Sequence, residues 1–357
     1  MTGSRHPPSV LLTKWRRCSQ LSPLEALVTI SRTMRLPAAL AATLLVGACG
    51  TAPSGTSSSL AGKDTYQIGV LQVAEATVLG DTVAAFERKL TALLAPKKVT
   101  FDFKNAQGDQ SLISGIARDF AGSDDDAFAV IGTPAVIALA QQVRDRPIFA
   151  IAMGDPVGSG VAKSLTAPGG NVTGSIDYID PALLLDQILK VGPAPTRIGT
   201  VYDPSNKNMQ VWVEALRKAA ASHPGLSLVE SSISEAGDVP TGARGLVGRA
   251  DAILIGPDAT VFAGLAAVGS TAAAAKLPVY VCGGDASVPG ILASIGPNYP
   301  VVGELAAEPA AKVLAGAKPG EIAFGQPSGV EFEFNRTTMD SLRVTVPQDI
   351  LAKAAVK

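Results

Sequence analysis

Apolar and polar positions alternate along most of the chain in the manner of an α/β protein. Residues 66–153 predict four short apolar strands separated by longer amphipathic helices. The first of these helices places Val83, Phe86, Leu90 and Leu93 on one face. Nearly continuous apolar strands between helices predict a parallel sheet that is covered on both faces.

The same alternation returns after Gly170. It predicts further strands and helices, including one Ala-rich helix over residues 259–275 and a buried strand that ends near Cys282. Asp109 lies where an N-cap is expected, directly before a predicted helix. Two successive doubly wound units predict an α/β architecture with two Rossmann-like lobes and parallel sheets.

The N-terminal region has a different pattern. Arg35 precedes an apolar run over residues 36–46, and two small residues then lead to Cys49. This layout predicts a secretory signal peptide over residues 34–48. The run is too short for a membrane-spanning helix, which needs about 20 residues; the alternative is a short buried helix that ends in a cysteine. The end of the segment, LVGAC, resembles a bacterial lipobox, and this resemblance implies that Cys49 is lipidated.

Residues on either side of this signal are not expected to belong to a packed domain. Residues 1–33 show no coherent period, and we predict that they are an upstream extension preceding a true start at Met34; the alternative is an unusually long basic region of the signal. Residues 49–65 are rich in Gly, Ser, Thr and Ala, which is typical of a flexible tether.

The charge balance changes once the leader is set aside. Six of the 30 basic residues but only one of the 31 acidic residues lie within residues 1–48, which leaves 24 basic against 30 acidic residues from Cys49 onward. An acidic surface argues against nucleic acid or anionic lipid as a partner. The length from residue 66 onward exceeds what one hydrophobic core serves comfortably and favours two lobes.

Catalytic side chains are scarce. His223 is the only histidine after residue 48, and Cys282 is the only cysteine after Cys49. The sequence therefore predicts no histidine-based metal site and no cofactor, and it contains no nucleophile elbow or Walker sequence. An enzyme on this scaffold is disfavoured, and a binding protein is favoured.

Candidate binding residues follow the predicted strands, because ligands of open α/β sheets bind beyond the C-terminal strand ends. Thr133 directly precedes Pro134, so it is predicted to be the N-cap of the following helix. The start of this helix either receives a ligand carboxylate, or Thr133 serves only as its cap. Asp155, Asp258 and Asp285 either pair with a ligand ammonium or serve as turn and helix-cap residues. Together, a helix start that binds a carboxylate and acidic residues that bind an ammonium would suit an amino-acid zwitterion.

Six segments carry a resemblance to a known family, over roughly residues 66–355. They are NAQGDQSLISGIARDF, GTPAVIALA, DPVGSGVAKSLTAPGGNVTGSIDY, RIGTVYDPSNKN, VCGGDAS and FNRTTMDSLRVTVPQDILAKA. These segments resemble the ABC-transporter substrate-binding lipoproteins of the TrpX type. The resemblance implies a type I periplasmic-binding fold, in which two lobes joined by three crossovers close on a small solute. Family members with a known ligand are associated with aromatic amino acids, chiefly tryptophan.

The resemblance also implies a set of binding residues and a domain division. The ligand-binding residues carried over are Gln72, Thr133, Asp155, Ser205, Asn206, Asp258 and Asp285. Lobe 1 is expected to comprise residues 66–176 and about 286–338, and lobe 2 residues 177–285 and about 339–357. The segment PNYPVVGE departs from the family pattern near a crossover, and Trp212 is the only tryptophan after Cys49.

The sequence thus predicts an extracytoplasmic solute-binding lipoprotein of an ABC importer. Its expected partners are a small solute such as an amino acid, the importer's permease and, through the permease, the ATPase subunits. The lipid on Cys49 would hold it at the outer face of the cell membrane or the periplasmic side of an envelope membrane. The alternative is an extracytoplasmic ligand sensor that takes no part in transport.

Overall fold

The computed structural model of the chain describes residues 60–357. The predictions of an upstream extension, of a signal peptide over residues 34–48, of lipidation at Cys49 and of a tether as far as residue 59 lie outside the described residues. Within residues 60–357, no helix combines the length and the apolar character needed to span a membrane.

The last part of the predicted tether, residues 60–65, contacts the folded domain, which corrects the prediction there. Leu60 packs against the core, and its carbonyl oxygen accepts a hydrogen bond from the Tyr66 hydroxyl (3.1 Å). The Lys63 ammonium pairs with Asp126. A composition of small polar residues favours flexibility, but it does not reveal which of them meet a neighbouring surface.

The first lobe is built on a five-stranded parallel sheet. Its elements are β1 (Thr65–Gln72), α1 (Thr77–Leu94), β2 (Lys98–Asn105), α2 (Gln110–Ala121), β3 (Ala127–Ile131), α3 (Thr133–Gln142), β4 (Ile148–Ile151) and β5 (Val172–Gly174). The strand order is β2-β1-β3-β4-β5, and every neighbouring pair is parallel. Strands β3, β4 and β5 are buried throughout, as predicted for parallel strands covered on both faces.

The second lobe is built on a seven-stranded sheet with the order β12-β11-β10-β9-β8-β6-β7. Only the β10–β11 pair is antiparallel. Its strands are β6 (Arg197–Tyr202), β7 (Ser227–Ser232), β8 (Ala252–Ile255), β9 (Val279–Val281), β10 (Ala293–Gly296), β11 (Glu331–Phe334) and β12 (Ala354–Val356). Its helices are α4 (Pro181–Ile188), α5 (Lys207–Ser222), α6 (Val239–Arg244), α7 (Ala259–Ala263), α8 (Leu265–Ala275), α10 (Arg336–Leu342) and α11 (Gln348–Leu351).

Helix α9 (Tyr299–Leu314) belongs to the first lobe although it follows a strand of the second. It packs along α1, and the approach is close, since a Cβ on Gly303 would lie 2.2 Å from the Thr82 carbonyl oxygen. The chain therefore passes between the lobes three times, near residues 175–180, 297–298 and 326–330. This arrangement confirms the predicted fold class with its three crossovers.

The expected lobe boundaries differ from the observed sheets in one respect. Residues 286–338 are expected in lobe 1, but β10 and β11 lie within this range and pair in the second sheet. Only the intervening segment with α9 joins the first lobe. An apolar strand pattern shows that a strand will be buried, but it does not show which sheet it joins.

The predictions made from the sequence for single helices agree with the structure at some positions and differ from it at others. In α1, Val83, Phe86 and Leu90 are buried as predicted, whereas Leu93 is exposed and Leu94 takes the inward position. Asp109 caps α2 as predicted, and its Oδ1 accepts a hydrogen bond from the Ser111 N–H (2.7 Å). The single helix predicted over residues 259–275 is instead divided into α7 and α8 at Gly264.

Candidate functional site

A narrow crevice with a cavity volume of about 20 Å³ lies where the two lobes meet the crossovers. Lobe 1 contributes the ends of β3 and β4, lobe 2 contributes the starts of α5 and α7, and two side chains lie at the crossovers. The lining residues used below are Leu79, Thr133, Asp177, Asn206, Asn208, Phe262 and Tyr299. Larger surface concavities lie elsewhere, and the one around Asp285 also has walls from both lobes. This crevice differs from it in lying beyond the C-terminal ends of β3 and β4, where open α/β sheets bind their ligands.

The lobe 1 wall presents the start of α3. The N-cap is Gly132, with φ of 104°, and Thr133 is the first helical residue, so the prediction that Thr133 is the N-cap is wrong by one position. The first intrahelical bond runs from the Val136 N–H to the Gly132 carbonyl (3.1 Å). The N–H groups of Thr133 and Ala135 precede this bond and have no intrahelical acceptor. Together with the helix dipole, they favour an anion at this point.

The lobe 2 wall presents two asparagine side chains at the start of α5. Asn206 is the N-cap of α5, and its Oδ1 accepts from the Asn208 N–H (3.1 Å). The Asn208 Nδ2 donates to the Pro257 carbonyl (3.1 Å). Asn208 is only 4% exposed, and its Oδ1 has no hydrogen-bond partner within residues 60–357. A buried acceptor without a donor is costly, so a solute that supplies an N–H or O–H is favoured here.

Asp177 comes from the first crossover, and Tyr299 is the first residue of α9, directly after the second crossover. The Tyr299 hydroxyl donates to the Asp177 Oδ2 (2.7 Å), while the Asp177 Oδ1 has no partner within the described residues. Burial raises the pKa of Asp177 to about 7, although the Tyr299 hydrogen bond opposes the shift. The Tyr299 ring lies edge-on to Phe262, with ring centroids 6.4 Å apart. This part of the crevice thus combines an unpaired carboxyl oxygen with two aromatic rings.

Asp258 is fully buried and holds loops in place instead of lining the crevice. Its Oδ2 accepts from the Asp203 N–H (2.7 Å), and its Oδ1 accepts from the Thr260 N–H (3.0 Å). Burial raises the pKa of Asp258 to about 7. Asp203 in turn accepts from the N–H of Ser205 (2.8 Å), which is exposed and also does not line the crevice. Asp258 therefore acts as the helix cap that sequence analysis left as its alternative role.

Three other predicted residues lie away from the crevice. Asp155 accepts from the Gly158 N–H (2.8 Å) and forms the turn that was its alternative interpretation. Asp285 accepts from the Ser287 N–H (2.8 Å) and lines a separate surface groove. Gln72 lies in another groove, between α1 and β2, and its Nε2 donates to the Ala74 carbonyl (2.7 Å).

Of the seven predicted residues, the structure brings Thr133 and Asn206 into the crevice. Asp177, Asn208, Phe262 and Tyr299 also line the crevice but are not among the seven predicted residues, although Asn208 ends a polar run over residues 203–208 that follows a predicted strand. Three of these had a usable signal, since Asp177 and Asn208 fall inside quoted family segments and Tyr299 lies in the divergent segment near a crossover. Trp212 offers no stacking surface to the crevice, because it is fully buried in the core of lobe 2. Phe262 had no signal beyond its aromatic ring.

The arrangement suits recognition of a small molecule with two opposite poles. Free acceptors stand on the lobe 2 and crossover side, and helix N–H donors stand on the lobe 1 side. Within residues 60–357, no group of three or more His, Cys, Asp or Glu side chains is placed to hold a metal ion. Cys282, buried beside this region, is a free thiol whose pKa is raised by burial.

A two-lobed α/β fold with an interlobe crevice defines the class of solute-binding proteins with a type I periplasmic-binding fold. Residues 67–357 match the family model described as ABC transporter substrate binding protein. The chain belongs to this family and is the substrate-binding protein of an ABC transporter. The family assignment agrees with the resemblance found in the sequence.

Individual relatives support the same assignment. A tyrosine-binding protein from Clostridioides difficile (strain R20291) is 31% identical over 244 residues, which are 68% of this chain and 70% of that protein. A crystal structure from Streptococcus pneumonia, described as an ABC domain in complex with L-Trp, has a TM-score of 0.77 and 27% identity, covering 82% of this chain and 99% of that one.

A third relative is described as a structure without ligand. It is a ligand-free, open structure of a substrate binding protein with adhesive properties from Clostridium difficile, with 28% identity and the same coverage of 82% and 99%. Its TM-score is only 0.58.

Proposed function

We propose that this substrate-binding protein captures an amino acid with an aromatic side chain and delivers it to the permease of an ABC importer. The observation that carries the proposal is the pairing of opposite binding chemistries in one crevice. Unpartnered acceptors on Asp177 and Asn208 face a solute from one side, and the free N–H groups at the start of α3 face it from the other. An α-amino acid carries the matching ammonium and carboxylate.

The ammonium is assigned to Asp177 and Asn208. Asp177 is 3% exposed, and a charge at this depth is stabilised only when an opposite charge and hydrogen bonds accompany it. A solute ammonium supplies both, and by favouring the ionised carboxyl it lowers the pKa of Asp177 from about 7. The Asn208 Oδ1 accepts a second ammonium proton, which removes the cost of a buried acceptor.

The carboxylate is assigned to the start of α3. The N–H groups of Thr133 and Ala135 have no intrahelical acceptor, and Pro134 between them contributes no N–H. Asn206 from lobe 2 lines the same crevice, so a bound solute contacts both lobes at once. Contact with both lobes is what allows a solute to favour the closed arrangement, because only differential affinity shifts that equilibrium.

The aromatic class is assigned from the apolar lining and from the relatives. Leu79, Phe262 and Tyr299 supply apolar and aromatic surface, and aromatic pairs prefer the edge-on geometry already present between Phe262 and Tyr299. The relatives described above are a tyrosine-binding protein and a complex with L-Trp. We therefore place tryptophan and tyrosine first among the candidate solutes.

The cellular setting of the proposal rests on the N-terminal sequence. The signal pattern over residues 34–48 supports export, and lipidation of Cys49 would anchor the protein at the outer face of the cell membrane or the periplasmic side of an envelope membrane. The proposal includes no catalytic step, because binding at the crevice requires only the groups named above. Radiolabelled palmitate should be incorporated by the wild-type chain and not by Cys49→Ser.

Calorimetric titration tests recognition of the solute carboxylate and of the solute ammonium separately. L-Tryptophan and L-tyrosine should bind, whereas tryptamine, which lacks the carboxylate, and indole-3-propionate, which lacks the ammonium, should each bind at least tenfold more weakly. Each analogue leaves one set of buried polar groups unpaired, at a cost of about 1.5–3 kcal/mol for hydrogen bonds to charged groups. The proposal would be contradicted if all four compounds bound equally well, or if none of them bound.

Transport is separated from sensing by a cellular measurement. Uptake of labelled L-tryptophan should fall in cells that lack this protein and return when the wild-type chain is supplied. Unchanged uptake together with tight binding in vitro would favour the sensor that sequence analysis named as the alternative.

A further inference from the structure

Asn208 of lobe 2 makes a close contact with Gly154 of lobe 1. A Cβ placed on Gly154 would lie 1.5 Å from the Asn208 Oδ1, 2.2 Å from its Cγ and 2.8 Å from its Nδ2. The whole terminal amide of Asn208 therefore rests against the Gly154 Cα, in the space where any other residue has its side chain. Gly154 follows β4, and Asn208 lies in the first turn of α5, so the contact joins the two lobes directly.

Space, and not backbone conformation, is what requires glycine at this position. The φ angle of Gly154 lies outside the left-handed region, so alanine meets no backbone strain there. The same residue type at Gly132 has φ of 104°, where the conformation itself favours glycine. At Gly154 the three atoms nearest to an added methyl group all belong to the Asn208 side chain.

Asn208 has little freedom to move aside. Its Nδ2 donates to the Pro257 carbonyl (3.1 Å), and its backbone N–H donates to the Asn206 Oδ1 (3.1 Å). The side chain is buried, so a different rotamer would lose the Pro257 bond and displace packed neighbours. Separating the lobes about the crossovers relieves the collision without breaking either bond.

We propose that Gly154 and Asn208 form a closure contact, in which the absent side chain of Gly154 lets lobe 2 approach lobe 1 over the solute. Gly154 is a positioning residue, since it acts only through Asn208. The inference rests on the proposed function for its effect on solute affinity, but the contact itself concerns only the approach of the two lobes. A methyl group at this position should hold the lobes apart and weaken solute binding while leaving each lobe folded.

The first test measures L-tryptophan affinity by calorimetry in the full chain. Gly154→Ala should weaken binding at least tenfold with a thermal unfolding midpoint close to that of the wild type. Asn208→Ala should also weaken binding, because it removes an acceptor. The double variant should bind no more weakly than Asn208→Ala alone, since the methyl group then meets no amide. Effects that simply add in the double variant would overturn the proposal.

The matched control is Gly170→Ala in the same lobe. Its φ also lies outside the left-handed region, and a Cβ there would meet only the Val161 carbonyl oxygen at 3.8 Å. This variant should bind L-tryptophan as the wild type does. If Gly154→Ala behaves like this control, the closure contact is contradicted.

A second test needs no solute and so separates this inference from the proposed function. A Cβ on Gly108 of lobe 1 would lie 3.7 Å from the Ala236 Cβ of lobe 2, which is within the range for a disulfide. Gly108 has φ of 78°, so a cysteine there strains the backbone. Every variant compared therefore carries the same Gly108→Cys and Ala236→Cys pair, and the rate of oxidative cross-linking reports how often the lobes close. Adding Gly154→Ala should slow this cross-linking several-fold, and adding Asn208→Ala as well should restore it. An unchanged rate would overturn the closure contact even if L-tryptophan does not bind.

Discussion

The two walls of the crevice bring different chemistry to the same solute. The lobe 1 wall offers backbone N–H donors at the start of α3. The lobe 2 and crossover side offers side-chain acceptors, chiefly those of Asp177 and Asn208. Donors that belong to the backbone survive most substitutions, whereas side-chain acceptors do not. The comparison therefore predicts that binding is sensitive to the loss of side-chain polar groups on the lobe 2 and crossover side and tolerant of such losses on the lobe 1 side. Gly154→Ala is different, because it adds a methyl group and removes no polar group.

The largest effect is expected for Asp177→Asn. In the proposed binding mode this change removes the negative charge that pairs with the ammonium, so L-tryptophan affinity in calorimetry should fall at least a hundredfold. The fold should not suffer, because a pKa raised from 3.8 to about 7 means that ionised Asp177 costs stability, on the order of 4 kcal/mol. Thermal unfolding at pH 8 should occur at the wild-type temperature or above it.

The sign of this stability effect follows from proton binding. Between about pH 4 and pH 7 the folded state retains a proton on Asp177 that the unfolded chain has released, so the free energy of unfolding falls as pH rises through this range. The advantage of Asp177→Asn should therefore shrink when unfolding is measured near pH 4. A variant that unfolds more easily than the wild type at pH 8 would show that the carboxylate stabilises the hinge.

The pH dependence of binding gives the next largest effect. Below pH 7 the Asp177 carboxyl is increasingly protonated and pairs less well with an ammonium. Affinity for L-tryptophan should rise about tenfold or more between pH 5.5 and pH 8, with proton release on binding near neutrality. In Asp177→Asn the remaining weak binding should lose this dependence, and a slope that persists would assign it to another group.

The comparison of the walls is sharpened by Thr133→Ala against Asn208→Ala. Thr133→Ala keeps both N–H donors of α3, so its affinity for L-tryptophan should change no more than about threefold. Asn208→Ala removes an acceptor and should weaken binding about tenfold or more, in line with about 1.5–3 kcal/mol for a hydrogen bond to a charged group. The reverse order would show that the lobe 1 side chain, and not the helix start, holds the carboxylate. Asp155→Ala serves as a binding-neutral control, because Asp155 lies outside the crevice.

The smallest effect is expected at His223, far from both walls. Its Nε2 lies 3.1 Å from the Asp186 Oδ1, and its pKa is raised by the hydrogen bond with the Ala219 carbonyl and then by Asp186. This stabilisation is present at low pH and is lost as pH rises through the raised pKa. His223→Ala should lower the unfolding midpoint at pH 6 by about 2 °C or less, because exposed ion pairs contribute little. L-Tryptophan affinity should be unchanged.

Local signals predicted the elements well because they depend on neighbours along the chain. The caps of Asp109 and Asp258, the buried faces of β3 and β4 and the strand position near Cys282 follow from short-range geometry. Most predicted site residues were acids or polar residues after strands. Asp155, Asp258 and Asp285 instead satisfy backbone N–H groups nearby, which is the commonest use of such residues in loops.

The sequence by itself determined the class of fold, the family and the succession of strands and helices, because apolar periodicity and family segments are properties of the linear chain. Only the tertiary structure decided that β10 and β11 join the second sheet and that α9 returns to the first lobe. It also decided which polar groups remain without partners. Asp177 and Asn208 stand out because each combines a buried side-chain oxygen that has no hydrogen-bond partner within residues 60–357 with a place in the lining of the crevice. Both properties depend on residues that are distant in sequence and brought together by the crossovers.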